Sequence, residues 1–372
     1  MGYPLGSLNT VVAFTVYKVT PHHSRCRPPQ ALQSAPISSN LDEPFNPQKT
    51  YPVLTLPPEI VAEIFAHWLP NYPECPPPRG ILSPLLLCQI CRQWRMIALS
   101  TPILWRAISV ELRRGDSEKR LAAELELLKT WLKRSGDCPL SISLAHSRNI
   151  THRLVPQFLR AIVAHRQRWE HVDLLMPFEY MHLIHGNMPL LRNLTFGPSN
   201  YPHGRARFPD LFHDAPHLRR VILTRNFFKS FMALPWAQLT HVEADCLYEH
   251  ECIDILREAP LLVACTFRVC SGASVPQSDV LTHTCLRDLI LDKVDESSTP
   301  PRLWMVLDCL MLPALRSLQI DAPFVTLEAI SMFIARSHCF LEDLRIIGTS
   351  LSRNPHTERR CPHFLHSHLK NE

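Results

Sequence analysis

Glycine is scarce in this chain, with ten among 372 residues. Loops that cradle phosphates need several glycines at fixed offsets, and neither G-x-x-x-x-G-K-[ST] nor G-x-G-x-x-G occurs. The strained G-x-S-x-G elbow of serine hydrolases is missing too. No pair of carboxylates is singled out by spacing, so the expectation is a protein without catalytic residues and without a cofactor. A charge of one sign is also lacking: 39 Lys and Arg stand against 34 Asp and Glu, a net +5 spread along the chain. That balance gives no argument for nucleic acid or for a membrane surface. No apolar run reaches the ~18 residues a membrane helix needs. The early "VVAFTV" has no basic residue before it and no cleavage site, and Gly2 is followed by Gly6 where a myristoylation signal has Ser or Thr. The expected location is therefore the cytoplasm, the nucleus or both.

What is present is apolar and cysteine-bearing. Hydrophobic residues make up 46% of the chain, enough for a sizeable core. The 13 cysteines are odd in number and sit mostly inside apolar runs such as "LLLCQICRQW", which reads as reduced, buried thiols. Residues 1–52 are rich in Pro, Ser, Gln and Asn without periodicity and read as a disordered leader.

Residues 53–112 read as one compact helical unit. Pro57 and Pro58 suit a helix start, and Ile60, Val61, Ile64, Phe65 and Trp68 form a broad apolar stripe. "NYPECPPPRG" breaks the chain into a loop. "LLLCQICRQWRMIALS" is helical again, with Leu87, Ile90, Cys91, Trp94 and Ala98 on one stripe, and "TPILWRAISVEL" closes the unit. In the linker at 113–137, Leu121, Leu125, Leu128 and Leu132 give a helix with a single apolar seam. Ser117 or Asp116 can cap it and Gly136 can stop it.

From 138 to 350 one pattern returns: "PLLRNLTF", "PHLRRVIL", "PLLVACTF", "CLRDLIL", "PALRSLQI" and "FLEDLRI", with weaker copies "QRWEHVDL" and "AQLTHVEA". The first anchors are Trp169, Leu191, Leu218, Leu239, Leu262, Leu286, Leu315 and Leu341, spaced 21–29 residues apart. This is the length range of leucine-rich repeats, with a template near L-x-x-L-x-L. Helical stretches such as "ECIDILREAP" and "VTLEAISMFIAR" lie between copies. One strand and one helix cannot bury their apolar faces alone, whereas stacked copies can. The expectation is α/β, an irregular strand–helix solenoid with a curved parallel sheet and helices on the convex side. It is irregular because the template's asparagine occurs once, at Asn226. An ordinary α/β domain with repeated strands is the rival.

The unit at 53–112 resembles an F-box, carried by "LPPEIVAEIF", "LLLCQICRQWRMIAL" and "TPILWRAISV" in that order. With "WLKRSGDCPLSISLAH" and the repeats behind it, the chain resembles the F-box proteins of mushroom-type fungi. The resemblance implies a substrate receptor of an SCF (Skp–cullin–F-box) ubiquitin ligase. A Skp-type adaptor, and through it a cullin, would bind at Leu56, Pro57, Ile60, Ile64, Leu87, Cys91, Trp94 and Trp105. Which of these face the adaptor and which the chain's own core stays open at this point. The alternative is an interaction scaffold outside a ligase.

Residues alternating with the strand anchors would line the concave face and hold an unknown target protein. They are His171, Asp173, Asn193, Thr195, Arg220, Ile222, His241, Glu243, Asp288, Ile290, Ser317, Gln319, Asp343 and Arg345. Their mixed charge suits a protein surface. The tail at 351–372 carries Cys361, His363, His366 and His368 close together but no second ligand cluster at zinc-finger spacing, so no metal site is expected. Cys88 and Cys91 form C-x-x-C on a helix and read as core packing.

Overall fold

A computed structural model describes residues 55–113, 115–146, 153–199, 211–224, 227, 229, 234–270, 280–294, 303–321 and 325–347. The expected leader, the histidine-bearing tail and Asn226 lie outside the described residues.

The chain first forms three short helices, α1 (Pro58–Trp68), α2 (Pro84–Ile90) and α3 (Arg92–Ser100). Proline occupies the first turn of α1 and of α2, where its missing N–H costs nothing. Ser83 Oγ accepts the Leu85 N–H at 3.2 Å and starts α2. Cys91 is fully extended, at φ −153° and ψ 169°, and its Sγ accepts the Trp94 N–H. That single extended residue splits the apolar run into two helices and changes the phase of the stripe. Leu87 stays inside, but Ile90 is turned out to the surface.

The segment expected to close the unit is divided. Pro102–Trp105 is a 3-10 turn that buries Leu104 and Trp105, and Ala107–Leu112 is β1, the first strand of a sheet. The linker helix α4 (Glu118–Arg134) follows, capped by Ser117 Oγ on the Arg120 N–H at 3.2 Å. Its seam of Leu121, Leu125, Leu128 and Leu132 is buried as its spacing predicts, together with Trp131. The Trp131 indole donates to the Ala107 carbonyl at 3.1 Å, and its ring meets Trp105 edge-on at 4.9 Å between centroids. The helix therefore fastens the helical unit to the first strand.

β2 (Leu140–His146), β3 (Trp169–Met176), β4 (Asn193–Pro198), β5 (Arg220–Leu223), β6 (His241–Tyr248) and β7 (Ala264–Cys270) continue the chain. β8 (Leu281–Thr282), β9 (Asp288–Lys293), β10 (Leu310–Met311), β11 (Ser317–Asp321) and β12 (Asp343–Ile347) complete the strands. Ten of them form one parallel sheet in chain order, β1-β2-β3-β4-β5-β6-β7-β9-β11-β12, while β8 and β10 pair separately. Helices α5 (Val155–Val163), α6 (Glu249–Glu258), α7 (Leu303–Asp308) and α8 (Leu327–Ser337) lie between strands. The mixed α/β class and the parallel sheet agree with the sequence reading, and every repeat copy falls on a strand.

The register explains why the sheet holds. Ile108, Ile142, Val172, Leu194, Val221, Val242, Cys265, Leu289, Leu318 and Leu344 are partners in one row across all ten strands. Two residues on, Val110, Leu144, Leu174, Phe196, Leu223, Ala244, Phe267, Leu291, Ile320 and Ile346 form a second row. Side chains two apart share a face, so both rows face the helices. All are buried except the two on β12. Gly197 is needed at its place on β4, because a Cβ there would collide with Oγ1 of Thr224.

This parity yields a direct test. Leu318→Ala should cost about 2–5 kcal/mol of stability by cavity formation, read from the urea midpoint. Gln319→Ala, one residue along but on the other face, should change it by less than about 0.5 kcal/mol. Equal losses at both positions would contradict the register.

Candidate functional site

Two surfaces of this fold carry side chains without an internal role. The first lies on the helical unit. Val61 and Phe65 point α1 into the core, where Phe65 meets Trp94 edge-on at 4.8 Å. Helical geometry then places Ile60, Ile64 and Trp68, at i, i+4 and i+8, on the outer side. Ile60 is 51% exposed and Ile64 46%. Met96 and Leu99 repeat this at i and i+3 on α3, with Met96 63% exposed, and Ile103 is exposed on the 3-10 turn that follows the extended Thr101. Burying a large aliphatic side chain is worth roughly 1.5–3 kcal/mol, so these two stripes are an unused store of binding energy.

The eight residues singled out from sequence therefore divide by burial. Pro57, Ile60 and Ile64 are exposed. Leu56, Cys91 and Trp94 are half-buried, while Leu87 and Trp105 belong to the core. The Trp105 indole is bound to the Ala98 carbonyl at 2.8 Å, and the Arg134 guanidinium lies 4.6 Å from its ring centroid. The sequence reading missed Met96, Leu99 and Ile103. Met96 and Leu99 share a face of α3 that emerges only once the helix is broken at Cys91, and Ile103 is exposed on the separate turn after Thr101.

The second surface is the face of the sheet turned away from the helices. The register sets His171, Asn193, Arg220, His241, Ala264, Asp288, Ser317 and Asp343 in one row. Asp173, Thr195, Ile222, Glu243, Thr266, Ile290, Gln319 and Arg345 form the next. The seven residues expected from sequence to bind a target, Arg220, His241, Glu243, Asp288, Gln319, Asp343 and Arg345, are brought together on this face. Arg268 pairs with Asp245 at 3.2 Å and Arg345 with Asp343 at 2.8 Å. Ser143 donates to Asp173 at 3.2 Å. Burial lowers the pKa of His171, and that of His241 further with Arg220 nearby; burial and the neighbouring Asp245 raise Glu243.

The β1–β3 end of this face is already occupied. The loop after α1 runs back over it as a strap. The Tyr72 hydroxyl donates to Glu170 at 2.9 Å, its ring meets His171 edge-on at 5.3 Å, and Arg106 lies 4.0 Å from the ring centroid. Ser141 Oγ donates to the Pro73 carbonyl at 2.5 Å and lies 3.2 Å from Cys75 Sγ. The Ser109 N–H donates to the Pro76 carbonyl at 3.1 Å, covering the outer edge of β1. Arg79 pairs with Glu124 on α4. Burial pushes the Cys75 thiol up to about 11, so it is an inert thiol at neutral pH. The proline-rich loop is thus a structural strap.

Among the described residues no group of three or more His, Cys, Asp and Glu could hold a metal ion, and no helix is long and apolar enough to cross a membrane. Cys88 packs in the core and Cys91 caps a helix, so the C-x-x-C pair is spent on structure. No protein-family model matches the chain, and no curated protein sequence matches it significantly.

Acid should weaken this structure in a definite window. His171 and His241 titrate below the ordinary 6.5 when folded. Their contribution is complete above that value and is lost as pH falls through it toward their folded pKa values. Glu243 is raised above 4.5 and acts oppositely, losing stability as pH rises from 4.5 through its folded value. The urea midpoint should therefore fall as pH drops below about 6.5. A His171→Gln, His241→Gln variant should show a shallower slope, with His165, also lowered by burial, supplying the remainder. An unchanged slope would refute this assignment.

Proposed function

We propose that this chain is the substrate-recognition subunit of an SCF-type E3 ubiquitin ligase, non-catalytic itself. Its helical unit acts as an F-box that binds a Skp-type adaptor, and through it a cullin. Its sheet is the strand face of an irregular leucine-rich-repeat-like solenoid that holds a target protein. Support for the solenoid comes from ten parallel strands that neighbour one another in chain order, apart from the separate β8–β10 pair.

One observation carries the adaptor reading. Ile60 and Ile64 stand exposed on a helix whose other side, Val61 and Phe65, is committed to the core. These are motif positions of the family the sequence resembles, so an outward apolar pair at those positions is what adaptor binding requires. In this reading the ligase works by proximity: the receptor fixes the target's lysines near the charged conjugating enzyme and supplies no covalent chemistry.

The test is co-purification with a Skp-type adaptor of a mushroom-type fungus. Wild type should be captured, and Ile60→Asp, Ile64→Asp should abolish capture without lowering the melting temperature, because both side chains are exposed. Trp105→Ala is the contrasting control. It should destabilise the fold by about 3–5 kcal/mol as a core deletion. If folded wild type is not captured, the ligase reading fails and the scaffold reading, with the same sheet face as its binding surface, replaces it.

A further inference from the structure

One motif position has no part in the two surfaces above. In the repeat template, the residue just before each strand is arginine in four copies: Arg192, Arg219, Arg287 and Arg316. Backbone hydrogen bonds string these residues into one rung along the sheet. Arg192 N donates to the Glu170 carbonyl, Arg219 to Arg192, Thr240 to Arg219, Val263 to Thr240, Arg287 to Val263, Arg316 to Arg287 and Glu342 to Arg316, at 2.7–3.0 Å. All four arginines are exposed. The rung is therefore a basic rim at the N-terminal ends of the strands, with Thr240 and Val263 as neutral spacers.

The ends of this rim are neutralised from within. Glu170 pairs with Arg192 at 3.2 Å and Glu342 with Arg316 at 2.9 Å. Among the described residues the inner two arginines have no carboxylate partner. Arg219 donates to carbonyls of its own turn, Pro216 at 3.1 Å and Leu218 at 3.0 Å, and Arg287 has no ion pair among the described residues. Asp288, the next residue, alternates onto the open face of the sheet and does not compensate it.

Beside Arg287 the rim holds a cavity of about 280 Å³, lined by Arg287, Pro313, Leu315, Arg316, Phe340 and Glu342. Phe340 is 82% exposed, the most exposed large hydrophobic side chain described. The volume lies under the about 300–1,000 Å³ of small-molecule sites and suits one large side chain. The apolar side chains of Pro313, Leu315 and Phe340 beside the Arg287 guanidinium favour an apolar residue flanked by carboxylates.

We propose that this rim binds an acidic linear segment of a partner protein, with an aromatic residue against Phe340 and carboxylates on Arg287 and Arg219. The carboxylates of Glu170 and Glu342 already demonstrate the contact, since they sit on arginines of the same rung. Arg219 and Arg287 are three strand spacings apart, about 14 Å, which an extended segment covers in about four residues. A nucleic-acid backbone fits less well: the two glutamates bracket the rim, and the net charge of the chain is only +5. The inference does not depend on the ligase reading.

The test uses the full chain and a fluorescein-labelled nonapeptide of Glu, Asp and Ser with one Phe, an acidic residue standing four positions from it. Anisotropy should report binding that weakens with added salt. Arg287→Glu, Arg219→Glu and Phe340→Ala should each weaken it about tenfold or more, and a peptide with Lys in place of each acid should not bind. Lys129→Glu, the same charge reversal on the exposed side of α4, should leave binding unchanged. Equal binding of the two peptides, indifference to the three rim substitutions, or an equal loss through Lys129→Glu would overturn the proposal. So would a thymidine oligonucleotide that competes as well as the peptide, since the rim would then be a general polyanion site. Arg287→Ala, with melting temperature measured for every variant, separates a binding defect from misfolding. Adaptor capture, scored on the same preparations, fails or succeeds independently.

Discussion

Everything in this molecule hangs on the in-register alignment of ten parallel strands. Because side chains alternate along a strand, a slip by one residue would exchange the apolar rows for the polar ones across the whole sheet. The rows are apolar in every strand, so the helices have only one face to cover and the register has one low-energy solution. Parallel sheets are usually covered on both faces. Here the second face is polar enough to remain in water, which is why its strands alternate instead of reading as continuous apolar runs. The weakest point is β12, the edge strand among the described residues, where Leu344 and Ile346 are only half-buried.

The helical unit is not a loose appendage to this sheet. Trp105 and Trp131 meet in the core, and the Tyr72–Pro76 strap reaches from over β3 to the outer edge of β1. To rotate the unit against the sheet, the chain would have to release the Tyr72–Glu170, Ser141–Pro73 and Ser109–Pro76 bonds and reopen the tryptophan contact. The two neutral bonds contribute about 0.5–1.5 kcal/mol each and the Tyr72 bond to the Glu170 carboxylate about 1.5–3 kcal/mol, but they would break together. Whatever binds the Ile60–Ile64 stripe is therefore held at a set distance and angle from whatever binds the sheet. Rigid spacing of this kind is useful to a protein that acts by placing one partner near another.

Much of this was legible in the sequence, and the parts that were not have physical reasons. The eight repeat copies fell on strands because their anchors, from Trp169 to Leu315, are buried to 0–1%, and only Leu341 at the end is less covered. β1 was not read as a member of the array, and β2, though inside 138–350, was not read as a copy. "AISVEL" and "LSISLAH" alternate correctly, but they lack the leading P-x-L of the clearer copies, since β1 follows the 3-10 turn at Pro102–Trp105 and β2 follows α4. The split of the helical motif into outward and inward residues was not readable. It depends on Cys91 being extended, and a cysteine that caps a helix through sulfur leaves no signal in composition. Nor could the strap be seen. "NYPECPPPRG" reads as a loop by any local rule, and its contacts with Ser109, Ser141 and Glu170 lie far along the chain.

Charge distribution separates the two polar regions of the sheet. On the open face, Arg268 and Arg345 are already engaged by Asp245 and Asp343. Such part-exposed pairs are worth about 0–1 kcal/mol, so a target can displace them at small cost but gains little by doing so. Binding energy there must come from the residues between them, the apolar Ile222 and Ile290 and the half-buried histidines, and from shape. At the rim the opposite holds. Among the described residues Arg219 and Arg287 have no carboxylate to surrender, so an incoming acid adds an interaction instead of exchanging one. The same repeat thus builds two kinds of surface from one strand: a self-neutralised face that selects by fit, and a rim whose unpaired charge selects by sign.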